Sequence, residues 1–202
     1  LDLVDEIDKT PTLIVSPEGF EIINNFLKRN NRNAELILQE YALGMGNAIL
    51  QYKYSESYQL AENIILIWGD IPFIRKKTLA KLIKEHFSNE NDFTLITKNV
   101  EKAYTLIERN SENKITNIKE TREEGSSPVK GERDIGLFIF KKRIVFEILE
   151  AELPRKYGLK TNEHGFLYII EHLFKRGYKI QGLPIANEKE LRSLNYISDL
   201  EV

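Results

Sequence analysis

Six short apolar runs punctuate the chain, at residues 12–15, 34–38, 64–68, 93–97, 134–140 and 179–183. They are rich in Ile, Leu, Val and Phe and predict buried strands. Between them, residues 19–28, 74–87, 141–149 and 166–176 carry apolar side chains at helical spacing. Each of these predicts an amphipathic helix covering a sheet face. The alternation predicts an α/β fold with a mainly parallel, doubly wound sheet. From residue 103 the period changes, and 104–108 and 114–118 predict an appended antiparallel hairpin. Residues 121–133 are rich in Gly, Ser and charge and predict a mobile surface loop. The expected organisation is one domain over 1–202, with the hairpin and loop of 103–133 appended to it, and 187–202 as a closing helix and turn.

Composition changes this picture little. A chain of 202 residues with 42% hydrophobic content can bury one substantial core. Its 29 basic and 31 acidic side chains nearly cancel, without a long run of one sign, so no nucleic-acid or anionic-membrane surface is indicated. No segment is apolar enough over a bilayer's thickness, and no signal peptide is visible. The absence of cysteine excludes disulfides, thiolate nucleophiles and Cys-ligated zinc. The three histidines, His86, His164 and His172, have no metal-binding spacing and read as surface residues.

The apolar run 63–68 ends in Trp68, Gly69, Asp70, Ile71 and Pro72. Gly69 permits a tight turn and Pro72 ends the ladder, so Asp70 stands at the rim of the sheet, where α/β proteins bind ligands. A rim carboxylate suits Mg²⁺, which takes one or two protein oxygens plus phosphates. The alternative is that Asp70 caps a helix starting near Arg75 or closes a turn. Upstream, the strand ending at Leu38 runs into Gln39, then Gly44, Met45 and Gly46, then a helix near Asn47. These glycines would let the backbone approach a flat ligand, and the Gln39 amide could bond a nucleobase edge. For a lone G-x-G, a plain turn and helix start is the commoner reading.

In this order the motifs resemble those of GT-A-like, Rossmann-like nucleotidyltransferases, especially sugar-1-phosphate and N-acetylglucosamine-1-phosphate uridylyltransferases. Gln39 with Gly44, Met45 and Gly46 is similar to the family's glutamine and G-T-G. Gly69 to Pro72 matches its G-D-x-P turn. Tyr104, Ile115 and Ile118-Lys119-Glu120 resemble its tyrosine strand, hairpin and I-x-E element. Asp134-Ile135-Gly136 is similar to its N-T-G, Asn162 to Gly165 to its helix-opening N-x-x-G, and Leu194-Asn195-Tyr196 to its terminal asparagine turn. The resemblance covers essentially the whole chain.

It implies attack by a sugar-phosphate oxygen on the α-phosphorus of a nucleoside triphosphate, with pyrophosphate leaving and Mg²⁺ held by Asp70 and Asn195. Gln39, Gly44, Met45, Gly46, Trp68 and Gly69 would face the nucleotide. Tyr104, Glu120, Asp134 and Gly136 would face the sugar substrate. A cytoplasmic location follows from such substrates, and a homo-oligomer stays open. The family's opening strand, glycine-rich phosphate loop and lysine have no counterpart in the sequence. Residues 1–7 read as the tail of the helix that follows that loop, so one strand–loop–helix unit is expected to be missing and the chain alone catalytically incomplete.

Other departures bear on the substrate. Met45 replaces a small hydroxyl residue, Thr105 a glycine, Asp134 an asparagine, and Phe166 a glutamate, whose place Glu163 could take. They motivate a second reading, a noncatalytic relative that binds a nucleotide or sugar nucleotide in a regulatory role. A glycosyltransferase of similar fold is weaker, because the D-x-D pair is absent.

Overall fold

The computed structural model describes residues 1–194, which form two compact units, residues 1–61 with 154–166 and residues 62–153 with 167 onward. The first unit is built on a β-α-β crossover of β1 (Thr12–Val15), α1 (Pro17–Arg29) and β2 (Glu35–Leu38). The strands pair in parallel from Thr12 opposite Glu35 to Val15 opposite Leu38. The sequence starts and stops α1 clearly. Ser16 accepts from the Gly19 N–H at the N-cap, Pro17 and Glu18 occupy the first turn, and Lys28 and Arg29 meet the C-terminal end of the dipole. Next come α2 (Met45–Gln51) and two 3-10 turns, Tyr52–Tyr54 and Glu56–Tyr58. The guanidinium of Arg32 forks to Asp2 at 2.5 Å and Asp5 at 2.7 Å, fastening the turns at residues 2–7 to this unit.

The second unit contains a four-stranded sheet in the order β3 (Asn63–Ile67), β7 (Val129–Lys141), β4 (Phe93–Ala103), β8 (Ile180–Leu183). Its helices are α3 (Lys76–Ser88), α4 (Thr121–Glu124), α5 (Lys142–Glu150) and α6 (Ile169–Lys175). The core lies around β4 and β7, where Phe93, Leu95, Leu137, Phe138 and Phe140 are fully buried. The rings of Phe93 and Phe140 stack at 5.6 Å with planes 9° apart. Burying such side chains contributes roughly 1.5–3 kcal/mol each.

The α/β architecture agrees with the sequence reading, but the four-stranded sheet is mixed and not mainly parallel. β7 runs antiparallel to both β3 and β4, and only β8 runs parallel to β4. The reason lies in the connection. β7 is reached from β4 through the hairpin of β5 (Thr105–Arg109) and β6 (Ile115–Glu120), with no crossover helix that would return the chain to the same direction.

Residues 121–133 also differ from the expected loop. They form α4, a turn at Gly125, and the first part of β7, which pairs with β4 out to Val129 opposite Ala103. This part of the strand is polar because it lies beyond the sheet's body, and ion pairs replace apolar packing there. Glu132 takes two bonds from Arg109, at 2.7 and 2.8 Å, and Lys130 meets Glu101 at 2.8 Å.

Candidate functional site

In the second unit the site is built around a bulge in β7. Leu95 opposes Phe138 and Thr97 opposes Asp134, so two residues of β4 advance against four of β7. The surplus is absorbed at Gly136, which adopts φ +77°. Bulges of this kind re-aim side chains at the rims of sheets. The end of β3 lies across this bulge. The Trp68 N–H donates to the Gly136 carbonyl at 3.0 Å, and the indole packs so closely that a Cβ on Gly136 would stand 2.9 Å from its ring. Trp68 is half-buried, leans on Phe138 with ring centroids 5.7 Å apart, and has a buried Nε1 without a partner among the described residues.

The hairpin joins the same place. Thr105 opposes Glu120 in the β5–β6 ladder, and the Thr105 hydroxyl donates to Asp134 Oδ1 at 2.5 Å. The Thr121 N–H and hydroxyl both donate to the Tyr104 carbonyl, at 2.9 and 3.0 Å, while the Arg133 guanidinium lies 5.5 Å from the centre of the exposed Tyr104 ring. The structure therefore gathers Trp68, Tyr104, Glu120, Asp134 and Gly136, drawn from separate stretches of sequence. Gly69 and Asp70 continue directly from Trp68 into a turn that the Ile71 N–H closes on the Trp68 carbonyl. Asp70 is partly exposed, and among the described residues its carboxylate has neither a hydrogen bond nor an ion pair. No cluster of three or more His, Asp or Glu suited to a metal occurs among the described residues. Asn195 lies outside the described residues.

Asp134 departs from its expected role as a substrate contact. It is 0% exposed, and its oxygens are used internally, Oδ1 by Thr105 and Oδ2 by the Gly136 N–H at 2.9 Å. Burial raises its carboxyl above the ordinary value, against the bonds from Thr105 and Gly136. A carboxylate so enclosed shapes the bulge, with both oxygens bonded within the chain. Its partner Thr105 stands out in the sequence only as a departure from an expected glycine, and the pairing with Asp134 is supplied by the fold. Glu132 differs again. Burial works to raise its pKa, but the bonds from Arg109 and Thr97 outweigh burial and hold it below the ordinary value.

In the first unit, Gly44 has φ +97° and serves as the N-cap of α2. Sequence reasoning assigned the close approach at Gly44 and Gly46 to a flat ligand, whereas the chain's own residues 163–165 occupy that space. A Cβ on Gly46 would sit 2.1 Å from the Gly165 carbonyl oxygen, and one on Gly44 2.5 Å from that of His164. The Gly46 N–H donates to the His164 carbonyl at 2.9 Å, and the His164 N–H to that of Leu43 at 2.7 Å. Residues 162–165 accordingly do not open a helix. His164 bridges to Tyr157, and α6 starts only at Ile169. The Gln39 amide nitrogen donates to Gly44 O at 3.2 Å and Asn47 Oδ1 at 2.9 Å, which leaves Oε1 as its unengaged atom among the described residues. Met45 is 40% exposed at the start of α2. Beside this loop an open cleft of about 500 Å³ is lined in part by Leu38, Tyr41, Asn47, Gln51 and Tyr54.

The chain resembles the sugar-1-phosphate nucleotidyltransferases in the order of these elements and in fold. Among curated relatives, the bifunctional protein GlmU of Thermodesulfovibrio yellowstonii is 27% identical over 194 residues, 91% of this chain and 41% of that protein. The GlmU of Carboxydothermus hydrogenoformans is 29% identical over 168 residues, 80% of this chain and 36% of that protein. The chain thus spans about two-fifths of the length of these relatives. Among solved structures, HddC from Yersinia pseudotuberculosis matches with a TM-score of 0.61 and 21% identity, covering 90% of this chain and 72% of that one. UDP-glucose pyrophosphorylase complexed with UDP-glucose matches with a TM-score of 0.63 and 18% identity, covering 90% and 78%. No protein-family model matches.

Proposed function

We propose that this chain is the nucleotidyl-transfer portion of an Mg²⁺-dependent enzyme that moves a nucleoside monophosphate from its triphosphate to a sugar 1-phosphate or similar phosphorylated acceptor. An acceptor phosphate oxygen bonds to the α-phosphorus, the bond from that phosphorus to the bridging oxygen breaks, and pyrophosphate leaves with the electron pair. No protein nucleophile is required. Bound Mg²⁺ would neutralise phosphate charge in this reaction. Asp70 and Asn195 are the residues assigned to hold it, and the unengaged rim carboxylate of Asp70 has the hard-oxygen chemistry this cation takes. Trp68 and Gly69 are assigned to the nucleotide side. Tyr104 and Glu120 are assigned to the sugar side, and Asp134 and Gly136 to the bulge beneath it.

The single observation carrying this reading is the convergence of the Asp70 turn, the β7 bulge and the hairpin in one unit. The names GlmU and UDP-glucose pyrophosphorylase among similar proteins support the substrate class. The test is pyrophosphate release by the intact native protein over a panel of nucleoside triphosphates and sugar 1-phosphates, with and without Mg²⁺. Turnover with one pair supports the reading. Nucleotide binding without turnover favours the noncatalytic binding relative, which the internal use of Asp134 also favours.

A further inference from the structure

The turn that carries Asp70 is fastened at both ends by one distant stretch of chain. At its far end stands Arg75, the N-cap residue of α3, whose side chain makes no capping bond. The cap is supplied from outside by Glu190, which is 1% exposed. Its Oε1 accepts the Arg75 backbone N–H at 3.0 Å, and its Oε2 accepts Arg75 Nη2 at 2.5 Å and the Asn187 N–H at 2.9 Å. In return the Glu190 N–H donates to Asn187 Oδ1 at 3.1 Å, closing a capping box around the 3-10 turn Glu188–Leu191. The carboxylate thereby stands at the positive end of α3 and against a guanidinium, an arrangement that favours its charged form. At the near end of the turn, the Leu194 N–H donates to the Asp70 carbonyl at 2.7 Å. The ion pair of Lys98 with Glu188 at 2.9 Å ties the same stretch to β4. Between the anchors Ile71 and Ile74 are buried, so the turn has an apolar floor as well.

We infer that Glu190, acting through Arg75 and the stretch up to Leu194, is a positioning residue for Asp70. This rests on the cation-holding role proposed above for Asp70, but the placement itself concerns residues of this chain alone. Losing the Glu190 charge releases Arg75 and its capping turn, and the Leu194 bond then no longer holds the Asp70 backbone in register with Trp68.

The test uses the intact native protein with Glu190→Gln and with the milder Arg75→Lys, which carries the experiment if the first variant does not fold. Amide hydrogen exchange without metal or substrate is expected to quicken at least tenfold at the bonded amides of Ile71, residue 75 and Leu194, with the α3 interior around Leu82 unchanged. Where the wild type turns over, the Mg²⁺ concentration for half-maximal rate is expected to rise about tenfold while KM for the nucleotide moves less than twofold. Unchanged exchange across the turn overturns the inference, as does acceleration spread equally over α3. A wild-type protein that releases no pyrophosphate sinks the transferase reading instead, and the exchange comparison still decides the positioning.

Discussion

Replacing Gly136 by alanine tests whether the β7 bulge is the keystone of the site. The added Cβ would lie 2.9 Å from two atoms of the Trp68 ring, and the backbone there sits at φ +77°, which side chains rarely adopt. The left-handed backbone costs an L-residue roughly 1–2 kcal/mol. Forcing a methyl group against a packed indole adds about 1–3 kcal/mol. A total of about 2–5 kcal/mol is therefore expected, which at a urea dependence of roughly 2 kcal/mol/M lowers the midpoint by about 1–2.5 M. Trp68 is the chain's single tryptophan, so its emission reads the very contact that is disturbed. Gly69→Ala is the matched control, one residue along the β3 end, where a Cβ meets nothing within 4 Å. Its midpoint is expected to move by no more than about 0.5 kcal/mol equivalent. If the Gly136 and Gly69 variants unfold at the same urea concentration, the bulge yields freely and the reasoning fails.

Other perturbations address the remaining parts. Gly46→Ala should displace residues 163–165 from α2 and destabilise the first unit by about 1–3 kcal/mol, seen as faster proteolysis near residue 164. Arg109→Ala should cost about 1.5–3 kcal/mol by stripping Glu132 of its bidentate partner, measured by urea unfolding. Buried His86 bonds Thr94 and Asn63 through its two ring nitrogens, and burial, then Lys141, lowers its pKa below 6.5. The unfolded chain therefore binds more protons as pH falls below 6.5, so stability present above that pH is progressively lost. Urea midpoints between pH 7.5 and 5.5 should fall in the wild type and stay flatter in His86→Gln. Asp134 has the opposite sign. Its raised pKa means stability present below 3.8 is lost as pH rises, so Asp134→Asn should be the more stable form at pH 7, with the gap closing in acid. Equal thermal midpoints at pH 7 would count against that account.

Most strands and helices were legible because burial on both faces demands continuous apolar runs, and burial on one face demands helical periodicity. The ends of β7 were not. Residues 129–133 are held by the β4 ladder and by Arg109–Glu132, neither of which leaves a hydrophobic pattern. Strand direction was equally hidden, since the hairpin between β4 and β7 looks from sequence like an appendage although it reverses the sheet. The Gly44–Gly46 pattern correctly announced a close backbone approach. Nothing local could say that the approaching group is residues 163–165. Glu190 shows the same division. Asn187 and Glu190 have capping-box spacing in sequence, while the partner Arg75 is supplied only by the fold.

These cases sharpen what a motif can mean in this chain. Gly44, Gly46 and Asp134 stand where a family pattern puts ligand contacts, yet each is engaged by the chain itself, with Cβ space filled by residues 163–165 or oxygens spent on Thr105 and Gly136. Asp70 is the contrary case, a rim carboxylate that no described residue engages, on a turn fastened at both ends. That turn is held by backbone bonds and by the buried Glu190 carboxylate, none of which uses the Asp70 side chain. Substitution of the Asp70 side chain itself should therefore separate chemistry from folding more cleanly than substitution of the buried Glu190, of the glycines or of Asp134.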